Sequence, residues 1–328
     1  MKHLIILDAG HGSTTAGKRS PFTPAEVDAF CCHPASANLP ICFREGVGCC
    51  QGHHLSSSDH RVPAPLGDTS CALYEWAFNR DLAHRIQTGL LERGYDVRLL
   101  VPEEWDVSLK ARVHRAQEMC DEHTAHGGIW PNRLLVSLHS NAAGKPAPSP
   151  SLQGRARGEA LASPSGWECY CQGSSYNAHS LASYLYRYAY RLLPSCFPIR
   201  DKRGIVPRQV ERNTWIDDAE DWAQEGGMPM CEQDLPAGTD MEGAPASRGQ
   251  PLAASPYLSD GDGAVPPSFS PKTGNYYILN NAPCMAVLTE NLFMTNIKDT
   301  TFLLSERGRD LLAQVHIEAI DDFLGFGE

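Results

Sequence analysis

The chain opens on Leu4-Ile5-Ile6-Leu7, an unbroken apolar run that reads as a short buried strand. It ends at Asp8-Ala9-Gly10-His11-Gly12, where two glycines let the backbone turn beside a histidine. From about Ser13 to Thr69 no helical or strand period survives. Phe78, Leu82, Ile86 and Leu90 then recur every fourth residue and predict an amphipathic helix that Arg93-Gly94 closes. Tyr95 to Leu100 follows as a strand. A helix over roughly Ser108 to Glu122 turns Leu109, Val113 and Ala116 inward. Leu134 to Leu138 is the third strand and delivers His139, Ser140 and Asn141 at its end. Trp167 to Tyr170 reads as a strand, Ser180 to Leu193 as a helix, and Ala286 to Thr289 as a last strand ending in Glu290. The final helix starts near a capping Ser305 and carries Leu311, Val315, Ala319 and Phe323 on one face.

Strands that alternate with helices, several of them continuous apolar runs, predict an α/β fold. The expected architecture is a single mostly parallel twisted sheet flanked by helices. Three long loop insertions, rich in Pro, Gly and Ser, interrupt one domain over 1–328, at about 13–70, 143–165 and 208–272. In such sheets ligands bind at the carboxyl ends of strands. His11, His139 and Glu290 all fall there, and Glu75 opens the helix after the first strand.

Charge narrows the function classes. The 328 residues carry a net charge of −11 with no basic cluster, which argues against nucleic acid as partner and against attraction to anionic lipid. No apolar run is long enough for a membrane span. The N-terminus is too short and polar for a Sec signal, so the expected place of synthesis is the cytoplasm, and any work outside would follow release or export by another route. Twelve cysteines are many, and without an export signal the default is reduced thiols.

Two histidines and a carboxylate are a standard ligand set for catalytic zinc, with water in the fourth position. A further carboxylate can carry the proton from water to the leaving amine. His11, Glu75 and His139 suit the ligand roles and Glu290 the base. Each alone has a plainer reading: a turn histidine, a helix-start carboxylate, a solvated strand end. Their joint placement favours the site.

The same stretches resemble the zinc-dependent N-acetylmuramoyl-L-alanine amidases of the amidase type 3 family. Leu7-Asp8-Ala9-Gly10-His11-Gly12 is similar to the family's first motif, with Ala9 where Pro is usual and Ser13 where a second Gly is usual. Glu75 with Asn79, Leu82, Ala83 and the run to Leu100 resembles its glutamate-headed helix and following strand. Val107-Ser108-Leu109 with Arg112, and Val136-Ser137-Leu138-His139-Ser140-Asn141-Ala142, match two further stretches. Val287 to Asn296 resembles the last motif, with Asn291-Leu292 in place of the customary Leu-Gly. The resemblance implies that His11, Glu75 and His139 bind Zn2+, that Glu290 is the catalytic carboxylate, and that the lactyl–L-alanine amide of peptidoglycan is hydrolysed. Asn141 either orients a ligand, contacts substrate or is a turn asparagine.

The insertions lie outside the resemblance. His11 and Glu75 stand 64 positions apart, several times the expected spacing. Cys31, Cys32, His33, Cys49, Cys50, His53, His54 and His60 invite a second zinc site, though their spacing matches no standard pattern. Trp215 and Trp222 stand as a substrate surface or as anchors of the third insertion. Two other functions compete: a zinc amidase acting on soluble muropeptides or other peptides, and a non-catalytic cell-wall-binding module of the same fold.

Overall fold

The computed structural model describes residues 2–31, 71–129, 132–143, 163–194, 196–206 and 267–325. The apolar opening run is strand β1 (Leu4–Ala9), every residue of it buried. It lies between β2 (Asp96–Leu99) and β3 (Arg133–Asn141), parallel to both. β4 (Trp167–Cys171), β5 (Ile199–Asp201), β6 (Gly204–Ile205), β7 (Lys272–Thr273) and β8 (Met285–Phe293) complete one sheet. Its order is β2-β1-β3-β8-β4-β5-β6, with β7 also paired to β4. β8 is parallel to β3, whereas β4 runs antiparallel to β8. The sheet is therefore mostly parallel, with a reversal beside β8.

Helices cover both faces, which is why Leu4 to Leu7 of β1 are all apolar instead of alternating. Ile5 and Leu7 join a large core with α2 (Glu75–Glu92), α4 (Tyr176–Leu192) and α7 (Glu306–Gly325). Leu4 and Ile6 point the other way, into a smaller core with α3 (Leu109–Ala125) and the short α5 (Tyr277–Asn281). Ser108 caps α3 by accepting from the Ala111 N–H (3.3 Å), and Ser175 caps α4 in the same way from Ala178 (3.2 Å).

Several expected boundaries move. A helix, α1 (Pro24–Cys31), stands inside the first insertion, where no helical period was read. Another, α6 (Ile297–Leu304), precedes the last helix. Ser305 separates the two, and its hydroxyl accepts from the Gly308 N–H (3.0 Å), so the capping role expected of it is present. The Cys/His group from Cys31 to His60, and Trp215 and Trp222, fall outside the described side chains. Cys120, Cys169, Cys171 and Cys284 carry free thiols. No helix among the described residues is long and apolar enough to cross a membrane.

Candidate active site

The site lies on the smaller-core face, at the carboxyl ends of β1, β3 and β8. Parallel register sets His139 beside Glu290, and antiparallel register sets Glu290 beside Glu168 on β4. Residues directly paired across a sheet share a face, so His139, Glu290 and Glu168 form a row. Gly10 extends it, because a Cβ there would collide with the His139 ring. Glu75 reaches this edge from the first turn of α2, whose own N–H is taken by the Lys18 carbonyl (3.1 Å).

The four residues singled out in the sequence come together. Glu75 Oε1 is 3.1 Å from His139 Nδ1 and 3.4 Å from His11 Nε2, and it accepts from the Ser140 N–H at 3.2 Å. The two imidazoles stand edge to face with centroids 4.9 Å apart. One donor atom from each of His11, Glu75 and His139 lies within 4.8 Å of the others. Asn141 sits at the margin: its Nδ2 donates to Glu168 Oε2 (3.4 Å) and its Oδ1 accepts from the Ala142 N–H (2.8 Å).

His11 arrives by a route its motif did not reveal. The sharp turn expected of the glycines is made by His11 itself, at φ +60°, a left-handed conformation that costs an L-residue about 1–2 kcal/mol. Gly12 serves a different purpose, since a Cβ on it would strike the backbone of Trp105 and Asp106. Buried side chains receive three successive carbonyls of the loop. Arg112 Nη1 donates to Ala9 O (2.8 Å), Asn79 Nδ2 to Gly10 O (3.1 Å), and Arg80 Nη1 and Arg112 Nη2 to His11 O (3.1 and 3.3 Å). Arg112 also pairs with Asp8 at 2.6 Å, and Ser137 Oγ donates to that same carboxylate at 2.7 Å.

The titrating groups diverge. Burial pushes His11 down to about 4 against the opposing pull of Glu75, so its ring is neutral near pH 7. Burial also works against a charged His139, but the hydrogen bond and charge of Glu75 prevail and raise it. Glu75 feels the reciprocal effect: burial would raise it, yet the His139 bond and the nearby cations leave it lowered. Glu290 is raised to about 7, first by burial and then by Glu75 and Glu168, with His139 opposing.

The residues suit a metal ion. Glu75 Oε2 and Glu290 Oε2 are buried with no hydrogen-bond partner, a costly arrangement that a cation would relieve. Imidazole and carboxylate donors of this number are typical of zinc.

Motif reading missed Arg80, Glu168, Lys272 and Asn291. Glu168 is nearly buried and takes the Lys272 ammonium (2.9 Å) and the Tyr170 hydroxyl (3.0 Å) beside His139 and Glu290 in the row. Only its place in a strand next to β8 could have pointed to it, and that pairing is not local in sequence.

A family profile described as N-acetylmuramoyl-L-alanine amidase matches residues 5–216, well over half of the chain, and the chain belongs to that family. Among solved structures it is similar to the catalytic domain of CwlV, an N-acetylmuramoyl-L-alanine amidase from Bacillus (Paenibacillus) polymyxa var. colistinus. That match has 16% identity, covers 99% of this chain and 98% of the other, and has a TM-score of 0.46. An N-acetylmuramoyl-L-alanine amidase from Clostridium difficile 630 matches at 13% identity, with 98% and 97% covered and a TM-score of 0.47. Ami1 from Mycobacterium smegmatis matches at 14%, with 99% and 97% covered and a TM-score of 0.46. No curated protein matches the chain.

Proposed function

We propose that the chain is a zinc-dependent N-acetylmuramoyl-L-alanine amidase that hydrolyses the amide between the lactyl group and L-alanine in peptidoglycan. The observation that carries this is the convergence of His11, Glu75 and His139 donor atoms within 4.8 Å, with Glu290 next to His139 in register. His11, Glu75 and His139 would hold the metal. A bound zinc supplies a Lewis acid that polarises the amide carbonyl and acidifies water. Glu290 takes the proton from the attacking water and delivers it to the departing L-alanine nitrogen. Without a metal, burial raises its carboxyl to about 7, and a cation held by the three ligands would draw it lower. Water attacks the carbonyl carbon, the C–N bond breaks, and the products are a lactyl carboxylate and a free amine. Because His11 is neutral, its lone pair is available without loss of a proton.

The test is Glu290→Gln, assayed on purified sacculi and on soluble muropeptides side by side, with new L-alanine N-termini as the readout. The expected loss is about 10²–10⁴-fold in rate, with zinc content unchanged. Full activity in this variant would remove Glu290 from the proton-carrying role. Activity that survives complete zinc removal by a chelator would end the whole reading. Cleavage of muropeptides but not of sacculi would move the substrate to soluble fragments.

A further inference from the structure

The ladder between β3 and β8 slips beside the site: His139 faces Glu290, but the next pair is Asn141 with Phe293. β8 therefore holds one residue more than β3 at this point, a bulge of the kind that breaks regular backbone pairing. There the side-chain amide of Asn291 donates to the His139 carbonyl oxygen, at 3.1 Å.

The orientation of that amide is determined group by group. The Trp167 indole N–H can only donate, and it lies 3.0 Å from Asn291 Oδ1. The Nδ2 end must therefore face His139 O. Its second hydrogen goes to Thr289 Oγ1, at 3.1 Å. Thr289 Oγ1 is 3.0 Å from His316 Nε2, and His316 Nδ1 is 2.7 Å from the Leu312 carbonyl. A carbonyl cannot donate, so Nδ1 bears the hydrogen. Burial holds His316 down to about 4, so the ring is neutral and Nε2 accepts. The threonine hydroxyl donates to it and accepts from Asn291. Trp167, Thr289, Asn291 and His316 are all fully buried, and every one of these donors has an acceptor. A network satisfied this completely has one low-energy arrangement.

We infer that Trp167, Asn291, Thr289 and His316 form a buried positioning chain that fixes the backbone of His139 and so the direction from which its ring meets a metal. The inference rests on the proposed role of His139 as a ligand. The chain ties that residue to α7, and none of its members touches the reacting atoms.

The experiment measures zinc affinity by competition against a chromogenic chelator, using purified full-length protein stripped of metal. Asn291→Leu fills the same volume without donors and should weaken zinc binding about 10–100-fold, the usual consequence of losing an outer hydrogen-bond partner. Thr289→Val keeps Asn291 but removes its orienting acceptor, and should weaken binding in the same sense by less. Ser175→Ala is the structural control. Its hydroxyl only caps α4 by accepting from the Ala178 N–H (3.2 Å), and it touches no member of the chain. It should lower the Tm and leave zinc affinity unchanged. Zinc affinity within twofold of wild type in a folded Asn291→Leu or Thr289→Val protein would overturn the inference while leaving the function intact. Wild-type protein that takes up no zinc would overturn the function reading and the inference with it.

Discussion

Among the described residues, two that are not glycine take left-handed φ values: His11 at +60° and Leu292 at +64°. They lie on opposite sides of the same site, one in the loop after β1 and one in the bulge of β8. Each conformation costs about 1–2 kcal/mol, and the molecule meets that cost by different means. Around His11 the compensation is charge. Two guanidiniums donate to its carbonyl, and one of them, Arg112, is buried against Asp8. Around Leu292 it is packing: the side chain is fully buried in the larger core. Strain at functional sites persists only where surroundings over-determine it, and here a charged clamp and an apolar socket do equivalent work.

The largest effect is expected at the clamp. Arg112 spends all five N–H groups, on Asp8, Asp106 and the carbonyls of Ala9, His11 and Val107. Arg112→Met would leave the Asp8 carboxylate with Ser137 alone. Breaking a buried pair from one side costs about 3–5 kcal/mol. Denaturant unfolding of the metal-free protein should show that loss, and chelator competition should show weaker zinc binding as the His11 loop relaxes. A stability loss with unchanged zinc affinity would mean that the clamp holds the fold and not the ligand.

The socket gives a smaller and less obvious result. Leu292 stands where the family pattern has glycine, so Leu292→Gly removes the φ penalty. It also deletes a buried side chain, which costs about 2–5 kcal/mol. Burial outweighs strain, and the variant should be less stable by about 1–3 kcal/mol. A stabilised variant would show that the bulge is strained beyond what its packing repays.

These two regions also mark where sequence reasoning reached and where it stopped. β1, β3 and β8 were legible because strands buried on both faces leave continuous apolar runs. Glu75 was legible because it heads an amphipathic helix with a clear period. The placement of His11, Glu75, His139 and Glu290 at one edge followed from strand polarity. The means of holding them did not. Arg80 looks like an ordinary polar position on α2, yet it is nearly buried because its head turns into the His11 loop. Asn291 looked like a mere departure from the family's Leu-Gly, and its partners Trp167 and His139 lie 124 and 152 residues away. α6 went unread because its eight residues are too few to establish a period. Local pattern reports what an element is; it does not report which distant carbonyl needs a donor.

The smallest effect, and the one that sets the two sides most directly against each other, is the pH dependence of the metal-free protein. His11 falls from an ordinary 6.5 to about 4 on folding. The unfolded chain then binds the extra proton as acid is added, so the stability this group contributes is complete above 6.5 and is lost as pH falls through about 4. Glu290 rises from 4.5 to about 7. There the folded state binds the extra proton, and the contribution is complete below 4.5 and lost as pH rises through about 7. Between pH 4.5 and 6.5 the two slopes oppose each other, and the wild-type Tm should change little from this pair. Each substitution should expose the other group. In His11→Gln the Tm should fall as pH rises across that window, because Glu290 acts unopposed, while the raised His139 changes stability only above 6.5. In Glu290→Gln the trend should reverse and the Tm should rise with pH, because His11 then acts unopposed across the window. Thermal melts of chelator-treated protein at matched ionic strength measure both. Parallel slopes in the two variants would show that the loop and the bulge do not hold their titrating groups in opposite senses.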